Sequence, residues 1–310
     1  MKRSKIIIGT RSSELALTQT NIVIEKFKKI YPEINFEIKK IKTIGDKILD
    51  KTLNKIGGKG LFVKEIEIAL LKKEIDIAVH SMKDVPSEFP EGLEIGAITE
   101  REDVRDVLIS KDGKKLAELK EGARIGTSSL RRGAQIKALR NDVVVEPIRG
   151  NIQTRINKID EMNLDGVILA AAGIIRMGMA KHISQFFDIE ELIPAVGQGA
   201  LGLEIRSDDE FIKSMVSKVS HKETQYAVRA ERKFMETLNG GCHVPIGAYG
   251  FIEDNCMKMV GMAASLDGKK VVRVYDEAKM EDYELLGRKV GEEVLTKGGR
   301  EILNEIEGDV

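Results

Sequence analysis

The chain contains 310 residues, with 50 basic and 50 acidic side chains, two cysteines and no tryptophan. This length indicates about two domains, or three, and the balanced charge excludes a chain-wide surface for nucleic acid, so any cationic site must be local. The basic N-terminus precedes only a short apolar run, and no apolar stretch approaches the ~20 residues of a membrane span. We therefore expect a cytoplasmic protein with reduced thiols that binds neither nucleic acid nor membranes.

The first hundred residues alternate between short strands and helices. The first helix can begin at Ser12 or Ser13, because either hydroxyl can cap it. The predicted elements are, in chain order, a strand over 5–8, a turn over 9–13, a helix to about Lys29, a strand over 35–42, a helix over 61–73 and a strand over 75–80. This alternation indicates a parallel α/β sheet.

A long connection, residues 43–60, links the second strand to the second helix. It carries the glycine cluster Gly57-Gly58-Lys59-Gly60 and further lysines, including Lys55. Long connections in compact domains are frequently lids or binding loops. An ordinary solvated surface loop fits this pattern equally well.

A second α/β unit begins near Arg105. Its predicted strands cover 107–110, 123–126, 143–147 and 167–170, and its predicted helices cover 129–140, 151–161 and 172–177. Residues 201–206 form one more strand, which we expect to return to the first lobe. Two similar lobes in series predict a bilobal protein with a cleft between the lobes.

The pattern changes from Lys222 onwards. A long helix to about Leu238 precedes a glycine-rich loop, and Asp267-Gly268 is typical of a hairpin turn. The remaining predicted elements are strands over 246–252, 257–264 and 270–275 and helices over 283–296 and 300–306. Strands joined by tight turns favour a small antiparallel α+β domain.

Cys242 is the most informative residue of the loop, because it lies in Gly240-Gly241-Cys242-His243-Val244-Pro245-Ile246-Gly247. A thiol set among glycines and a proline suits a covalent attachment point or a nucleophile. The alternative is a buried cysteine that acts as a small hydrophobe. We interpret Cys256, which falls in a predicted strand, as structural. The two cysteines predict neither a zinc site nor a disulfide framework, and we expect no metal.

Lys83 and Asp84 directly follow the strand that ends near His80. Ligands of open parallel sheets bind beyond the carboxyl ends of the strands, so these two side chains fall where chemistry is expected. The alternative interpretation is a surface ion pair, which contributes little to stability.

Arginines recur where predicted strands pass into helices. In Gly126-Thr127-Ser128-Ser129-Leu130-Arg131-Arg132, the N–H groups of a helix start, the hydroxyls and two guanidinium groups form a candidate anion site. A single arginine at such a junction is usually a solvated charge. The arginines that follow strands in this way are Arg11, Arg131, Arg132, Arg149, Arg155 and Arg176. Their recurrence predicts one cleft that binds a ligand with several carboxylates.

Several of these segments together make the chain resemble the porphobilinogen deaminase family, also called hydroxymethylbilane synthases. The resemblance covers nearly the whole chain and follows the family's order. The matching segments are Gly57–Phe62, Val79–Pro86, Gly126–Arg132, Arg149–Asn151, Leu192–Ala200 and Gly240–Gly247.

The resemblance implies a transferase of tetrapyrrole and heme biosynthesis. Members of the family join four molecules of porphobilinogen head to tail, release ammonia at each step and form 1-hydroxymethylbilane. They carry one dipyrromethane cofactor, which is built from two substrate units and bound through a thioether. Cys242 matches the attachment residue, and Asp84 matches the catalytic carboxylate. We expect Asp84 mainly to stabilise positive charge on the reacting pyrrole, and secondarily to transfer protons.

The remaining site residues are also carried over from the resemblance. The residues expected to bind the cofactor, besides Cys242 and Asp84, are Lys83, Ser129, Arg131 and Arg132. Those expected to bind the substrate are Arg11, Ser13, Arg149, Arg155 and Arg176. Lys55 and Lys59 match a mobile loop that can close over the cleft. These six arginines and three lysines are fewer than the twelve carboxylates of a six-ring chain, which implies that the growing chain shifts or that the lobes move.

The expected fold is α/β, with two periplasmic-binding-protein-like lobes around a cleft and a small C-terminal antiparallel α+β domain. We assign residues 1–100 plus about 198–220 to lobe 1, 101–197 to lobe 2 and 221–310 to the C-terminal domain. A monomer is expected. The alternative function is a non-enzymatic bilobal protein that binds carboxylates, because fold alone does not decide function.

Overall fold

The computed structural model describes residues 3–47, 63–239 and 244–308. The chain divides into two compact units. Unit 1 combines Met1–Arg101 with Ala200–Gln225, and unit 2 combines Glu102–Gly199 with Tyr226–Val310. The predicted return of residues 201–206 to the first lobe is therefore confirmed. The predicted division into three domains stays a prediction.

The regular elements alternate along most of the chain. The strands are β1 (Lys5–Arg11), β2 (Asn35–Ile41), β3 (Ile77–Ser81), β4 (Leu93–Ile98), β5 (Asp106–Ser110), β6 (Arg124–Gly126), β7 (Val144–Glu146), β8 (Gly166–Ala170), β9 (Gln185–Phe186), β10 (Leu201–Arg206), β11 (Ile246–Glu253), β12 (Cys256–Ala264) and β13 (Val271–Lys279). The helices are α1 (Glu14–Ile30), α2 (Ile44–Lys47), α3 (Lys64–Leu71), α4 (Leu130–Leu139), α5 (Ile152–Glu161), α6 (Ala171–Arg176), α7 (Glu210–Ser217), α8 (Lys222–Thr237), α9 (Tyr283–Val294) and α10 (Arg300–Gly308).

Unit 1 is built on a five-stranded sheet in the order β2-β1-β3-β10-β4. Strand β1 is parallel to β2 and β3, whereas β10 is antiparallel to both of its neighbours. One face of the sheet packs against α1, where Val23 and Phe27 join Ile6, Ile8 and Leu203 in the core. The other face packs against α3. The parallel strands therefore all end at the same edge of the sheet.

Unit 2 contains a second sheet with the same plan, in the order β7-β6-β8-β5-β9. Strands β7, β6 and β8 are parallel, and β5 is antiparallel to β8 and β9. In both sheets the fourth strand is the one that runs against its neighbours. Because β5 is antiparallel, its first residue lies at the edge where the parallel strands end.

Unit 2 also contains an antiparallel sheet in the order β11-β12-β13. One face of this sheet packs on helices, with Phe234 of α8, Val290 of α9 and Leu303 of α10 in a shared core. Its other face contributes Val260 and Met262 to a smaller cluster, which also contains Ala134 of α4 and Ile193. Helix α4 and residues near Ile193 thus lie against the three-stranded sheet.

Most of the predicted elements are present. Ser13 caps α1, since its hydroxyl accepts a hydrogen bond from the Ala16 N–H at 3.3 Å. The predicted turn over residues 9–13 is wrong for its first part, because β1 continues in register with β2 as far as Arg11. The first three strands of unit 1 are parallel as predicted, but each completed sheet is mixed. Strand β4 and helix α7 were not predicted.

The two α/β sheets and the antiparallel α+β region confirm the predicted fold class. None of the described helices combines the length and the apolarity that crossing a bilayer would require.

Candidate active site

In unit 1, the predicted site residues follow two neighbouring parallel strands. Arg11 is the last residue of β1 and Ser13 caps the helix after it, while Lys83 and Asp84 form a short turn directly after β3. Since β1 and β3 pair in parallel, both groups lie at the same edge of the sheet. The structure thus brings the predicted catalytic carboxylate to the edge where ligands of such sheets bind.

Met82 anchors the turn that carries Lys83 and Asp84. The Met82 N–H donates to the Ala200 carbonyl at 3.0 Å, and the Met82 side chain is 2% exposed. It lies over Gly202 of β10, where an added Cβ would be 2.3 Å from the Met82 Sδ. A larger residue at position 202 would therefore force the Met82 side chain to move. The position of Asp84 therefore depends on the packing of β10.

A buried polar group underlies the same turn. His80 of β3 lies 2.8 Å from a carboxylate oxygen of Glu204 on β10, and both side chains are buried. The second oxygen of Glu204 has no hydrogen-bond partner among the described residues. Burial raises the pKa of Glu67 on α3, and the charge of Glu204 raises it further. This group ties β3 to β10 below the candidate catalytic residue.

Asp84 itself is exposed. Among the residues that the structure describes, no cation or hydrogen-bond donor lies within bonding distance of its carboxylate. A solvated carboxylate at a strand end can bind the N–H groups of a ligand and stabilise a positive charge that develops there. Asp84 is thus available for chemistry rather than committed to a structural ion pair.

In unit 2, the predicted carboxylate-binding residues follow three neighbouring parallel strands. Ser129, Arg131 and Arg132 lie after β6. Arg149 and Arg155 lie after β7, and Arg176 ends the helix after β8. Because these strands pair side by side in parallel, all three junctions are at one edge of the sheet.

Arg131 and Arg132 converge on Asp106, a residue without a predicted role. Arg131 Nη1 donates to Asp106 Oδ2 at 2.6 Å, and Arg132 Nε and Nη2 donate to Oδ1 at 2.9 and 2.7 Å. Gln198 Nε2 also donates to Oδ1, at 3.0 Å. Asp106 is completely buried, and both arginines are nearly so. The two arginines are therefore held in fixed orientations by one shared carboxylate.

The charge of this cluster is decided by the two arginines. Burial is the largest single influence on Asp106 and disfavours its charge, but Arg131 and Arg132 together hold the pKa of its carboxyl well below the usual range. Asp106 is therefore ionised at neutral pH, and guanidinium groups remain protonated in proteins. Two positive charges and one negative charge leave the cluster with a net positive charge. Such a cluster favours an anionic ligand.

Arg131 keeps hydrogen-bonding capacity for such a ligand. Its Nη1 donates to Asp106 and to the Ile193 carbonyl. Its Nε and Nη2 donate to no acceptor in the part of the chain that the structure describes. This edge of a guanidinium group has the geometry that binds a carboxylate in a bidentate manner. The residues present therefore fit a bound group that carries carboxylates.

Ser129 is the N-cap of α4. Its hydroxyl accepts a hydrogen bond from the Arg132 N–H at 3.4 Å, and Thr127 Oγ1 in turn accepts from the Ser129 N–H at 3.2 Å. Since a hydroxyl can accept and donate at once, Ser129 can still donate to a ligand at this helix start. Its predicted role in cofactor binding stays a prediction.

Arg155 and Arg176 are each held by a backbone carbonyl. Arg155 Nε donates to Gly150 at 2.8 Å, and Arg176 Nη2 donates to Gly199 at 2.6 Å. Burial lowers the pKa of Arg176 from its ordinary value, and the charge of Glu102 opposes this effect. Binding of a substrate carboxylate by Arg149, Arg155 or Arg176 stays a prediction. Lys55, Lys59 and Cys242 lie outside the described residues.

Asp106 and Gln198 are the residues that the sequence prediction missed. Asp106 is the one polar residue at the start of the apolar strand Asp106-Val107-Leu108-Ile109. The sequence prediction began this strand at residue 107 and did not give its direction. Because β5 is antiparallel to β8, its first residue lies beside the carboxyl end of β8. The pairing of Asp106 with Ala170 shows the actual arrangement.

Comparison with known proteins identifies the family of this chain. Residues 6–214 match the family described as "Porphobilinogen deaminase, dipyromethane cofactor binding domain", and residues 225–296 match "Porphobilinogen deaminase, C-terminal domain". The chain belongs to the porphobilinogen deaminase family. The resemblance inferred from the sequence segments is thus confirmed.

Curated relatives extend the match to the full chain. A porphobilinogen deaminase from Carboxydothermus hydrogenoformans is 53% identical over 307 residues, which cover 99% of this chain and 99% of that protein. One from Alkaliphilus metalliredigens is 53% identical over 98% of this chain and 96% of that protein. Among solved structures, a YaeC-family lipoprotein from Enterococcus faecalis has a TM-score of 0.42 at 17% identity, covering 77% of this chain and 98% of that chain. A likeness this weak supports no conclusion about function.

Proposed function

We propose that this protein catalyses the stepwise head-to-tail condensation of four porphobilinogen molecules to 1-hydroxymethylbilane, with release of ammonia, and that it carries dipyrromethane attached to Cys242. The observation that carries the proposal is membership of the porphobilinogen deaminase family over nearly the whole chain. Family membership disfavours the alternative of a non-enzymatic carboxylate-binding protein. A monomeric state and a cytoplasmic location remain predictions from the sequence.

The cluster around Asp106 supports the assignment of cofactor-binding residues. Pyrroles of this pathway carry acetate and propionate groups, so a dipyrromethane is a polyanion. Arg131 and Arg132 would hold its carboxylates, since the cluster has a net positive charge and Arg131 retains two donor groups. Ser129 would add a hydroxyl at the start of α4, and Lys83 would contribute from the turn after β3. When bound, the cofactor supplies the terminal pyrrole carbon to which substrate units are joined.

Asp84 would act on the pyrrole rings themselves. Its exposed carboxylate can accept hydrogen bonds from pyrrole N–H groups and hold a ring in orientation. It would stabilise the positive charge that develops on porphobilinogen as ammonia leaves, which is the largest effect that a fixed carboxylate can supply. Proton transfer to the leaving amine is a second role.

Arg11, Ser13, Arg149, Arg155 and Arg176 would bind carboxylates of the incoming and growing chain. Each guanidinium group can accept a carboxylate in a bidentate manner. The six arginines and three lysines named above are fewer than the carboxylates of a six-ring chain, and Asp106 offsets one of their charges. The shortfall supports movement of the growing chain past a single Asp84.

The test begins with the intact mass of the purified protein and with peptide mapping. We expect an added mass of two porphobilinogen units less two ammonias, located on Cys242. Protein that lacks this mass is incubated with porphobilinogen and weighed again, and gain of the same mass on Cys242 supports the proposal. Failure to gain the mass, together with absence of porphobilinogen consumption, would contradict it.

The two cysteines provide a matched control. Cys242→Ser should lose both the added mass and turnover, whereas Cys256→Ser should keep both, because Cys256 lies in β12 and we assign it a structural role. Turnover that survives in Cys242→Ser would end the hypothesis of a tethered cofactor.

A further inference from the structure

We propose that Gln135 is a positioning residue, which sets the orientation of the Arg131 guanidinium group through the backbone carbonyl of Ile193. The inference rests on the proposed function, in which Arg131 binds a carboxylate of the cofactor. Gln135 has no role in the site described so far, and Ile193 enters it only as the acceptor of an Arg131 hydrogen bond.

Gln135 holds both backbone groups of Ile193. It is completely buried and lies on α4, one turn after Arg131. Its Oε1 accepts from the Ile193 N–H at 2.8 Å, and its Nε2 donates to the Ile193 carbonyl at 3.1 Å. The side-chain amide thus pairs with this peptide segment as a neighbouring strand would. The position of the Ile193 carbonyl is therefore fixed relative to α4.

The same carbonyl orients Arg131. Arg131 Nη1 donates to the Ile193 carbonyl at 2.6 Å and to Asp106 Oδ2 at 2.6 Å. These two bonds use both hydrogens of Nη1, so they fix the plane of the guanidinium group. The edge formed by Nε and Nη2 then faces away from both acceptors. A shift of the Ile193 carbonyl would rotate this edge, which is the one that we assign to the ligand carboxylate.

Strand β11 supports the carbonyl from a second side. The Ala248 N–H donates to the Pro194 carbonyl at 3.0 Å. A Cβ added to Gly247 would be 2.9 Å from the Ile193 carbonyl oxygen and 3.1 Å from Arg131 Cδ. Glycine is required here because backbone and arginine approach so closely. With β11 on one side and Gln135 on the other, the carbonyl has one position.

The first test measures how firmly the Arg131 guanidinium group is held, without relying on activity. Phenylglyoxal, which modifies arginines, is applied to the purified protein, and the modified residues are located by mass spectrometry. Arg140, at the end of the same helix, is the internal reference. In Gln135→Leu we expect the modification rate of Arg131 relative to Arg140 to rise by about fivefold or more, because a released guanidinium group is no longer held in one geometry. An unchanged ratio, or equal acceleration at both arginines, overturns the proposal.

The second test uses kinetics of the holoenzyme. Gln135→Leu and Gln135→Glu should lower kcat by roughly tenfold while KM for porphobilinogen stays within about twofold, because the affected arginine holds the cofactor rather than the incoming substrate. Gln135→Glu keeps an acceptor for the Ile193 N–H but places a carboxylate opposite the Ile193 carbonyl. A loss of thermal stability with kcat unchanged would mean a purely structural role and would overturn the proposal.

A matched variant controls for loss of a glutamine. Gln153 is exposed on α5 and donates to Asn157, so Gln153→Leu should leave both the arginine ratio and kcat unchanged. Failure of the proposed function is recognised separately, since wild-type protein would then not consume porphobilinogen. The arginine modification ratio still decides the role of Gln135 in that case.

Discussion

Two aspartates at strand ends illustrate how differently the two units use the same side chain. Asp84 of unit 1 is exposed and has no ionic partner among the described residues. Asp106 of unit 2 is completely buried and accepts hydrogen bonds from two arginines and a glutamine. A buried, fully paired carboxylate is fixed and cannot exchange partners during a reaction. Asp106 thus holds the two arginines in place, whereas the exposure of Asp84 is compatible with the catalytic role that we propose for it.

The largest expected effect is a loss of turnover when Asp84 is replaced. Asp84→Asn keeps the size of the side chain but removes its charge, so stabilisation of the developing cation is lost. We expect kcat to fall by roughly a hundred- to ten-thousand-fold, with little change in thermal stability. Steady-state kinetics and a thermal melt of the same sample measure both quantities. Near-normal kcat in Asp84→Asn would remove this residue from the mechanism.

Replacement of Asp106, unlike that of Asp84, should cause a large loss of stability. Asp106→Asn leaves two nearly buried guanidinium groups without a carboxylate, and breaking a buried ion pair in this way destabilises by about 3–5 kcal/mol. Urea denaturation measures the change. Asp142→Asn is the control, because Asp142 pairs with Arg140 at the end of the same helix but is partly exposed. A similar loss of unfolding free energy in both variants would show that burial of Asp106 does not strengthen its contribution to stability.

The pH dependence of stability gives a second test of the buried, ion-paired state of Asp106. The folded-state pKa of Asp106 lies below its ordinary value of 3.8. Ionised Asp106 therefore stabilises the folded state fully above that pH, and the stabilisation is lost as pH falls below it. We expect the unfolding free energy of the wild type to fall more steeply below about pH 4 than that of Asp106→Asn. Parallel curves would contradict the depressed pKa.

A substitution at Gly202 tests whether the packing of Met82, next to Asp84, affects turnover. Gly202→Ala places a Cβ against Met82 and should displace the turn that carries Asp84, lowering kcat by roughly tenfold or more. Gly96→Ala in β4 of the same sheet is the matched control, because its Cβ would meet Ile205 of β10 and Val216 of α7 but not Met82. Both variants should lose stability through overpacking. Equal kcat in the two variants would separate Met82 from catalysis.

The smallest expected effect is a change in thermal stability when Glu67 is replaced. Its folded-state pKa is raised by burial and by Glu204, while His80 and Lys64 act in the opposite direction. Glu67 therefore destabilises the folded state at neutral pH, and the penalty disappears as pH falls through the raised pKa. Glu67→Gln should raise Tm at pH 7 by about 1–2 °C, and this gain should shrink at pH 5. A gain that is independent of pH would contradict the assignment.

The sequence predicted the framework of both units well, because apolar runs and caps are local signals. Ser13 is one of the two residues predicted to cap α1, and Ser129 and Asn151, where the next two helices were predicted to begin, are the N-caps of α4 and α5. Strand β4 escaped prediction because the alternation of Leu93-Glu94-Ile95 stops at Gly96. This glycine is explained by tertiary contacts with Ile205 of β10 and Val216 of α7. Helix α7 has only eight residues, and its cap, Asp209, also pairs with Arg206.

The candidate site was predictable where residues follow parallel strands, and not where tertiary contacts decide. Lys83, Asp84, Arg131 and Arg132 lie at the edges that the strand order indicated. Asp106 could not be placed because the direction of β5 depends on pairing with β8, a contact between residues about sixty positions apart. The burial of Arg131, which the sequence placed in a candidate anion site, also depends on tertiary contacts, here with Asp106 and the Ile193 carbonyl.

The position of β10 in the first sheet has a consequence for how this chain folds while the ribosome is translating it. This wholly buried strand lies between β3 and β4, so β4 has no partner in the sheet until residues 201–206 have left the ribosome. The second five-stranded sheet ends at Phe186 and can form before then. The part of the chain that is translated first therefore completes its sheet after the part that follows it, and a nascent chain exposes an open strand edge in the meantime.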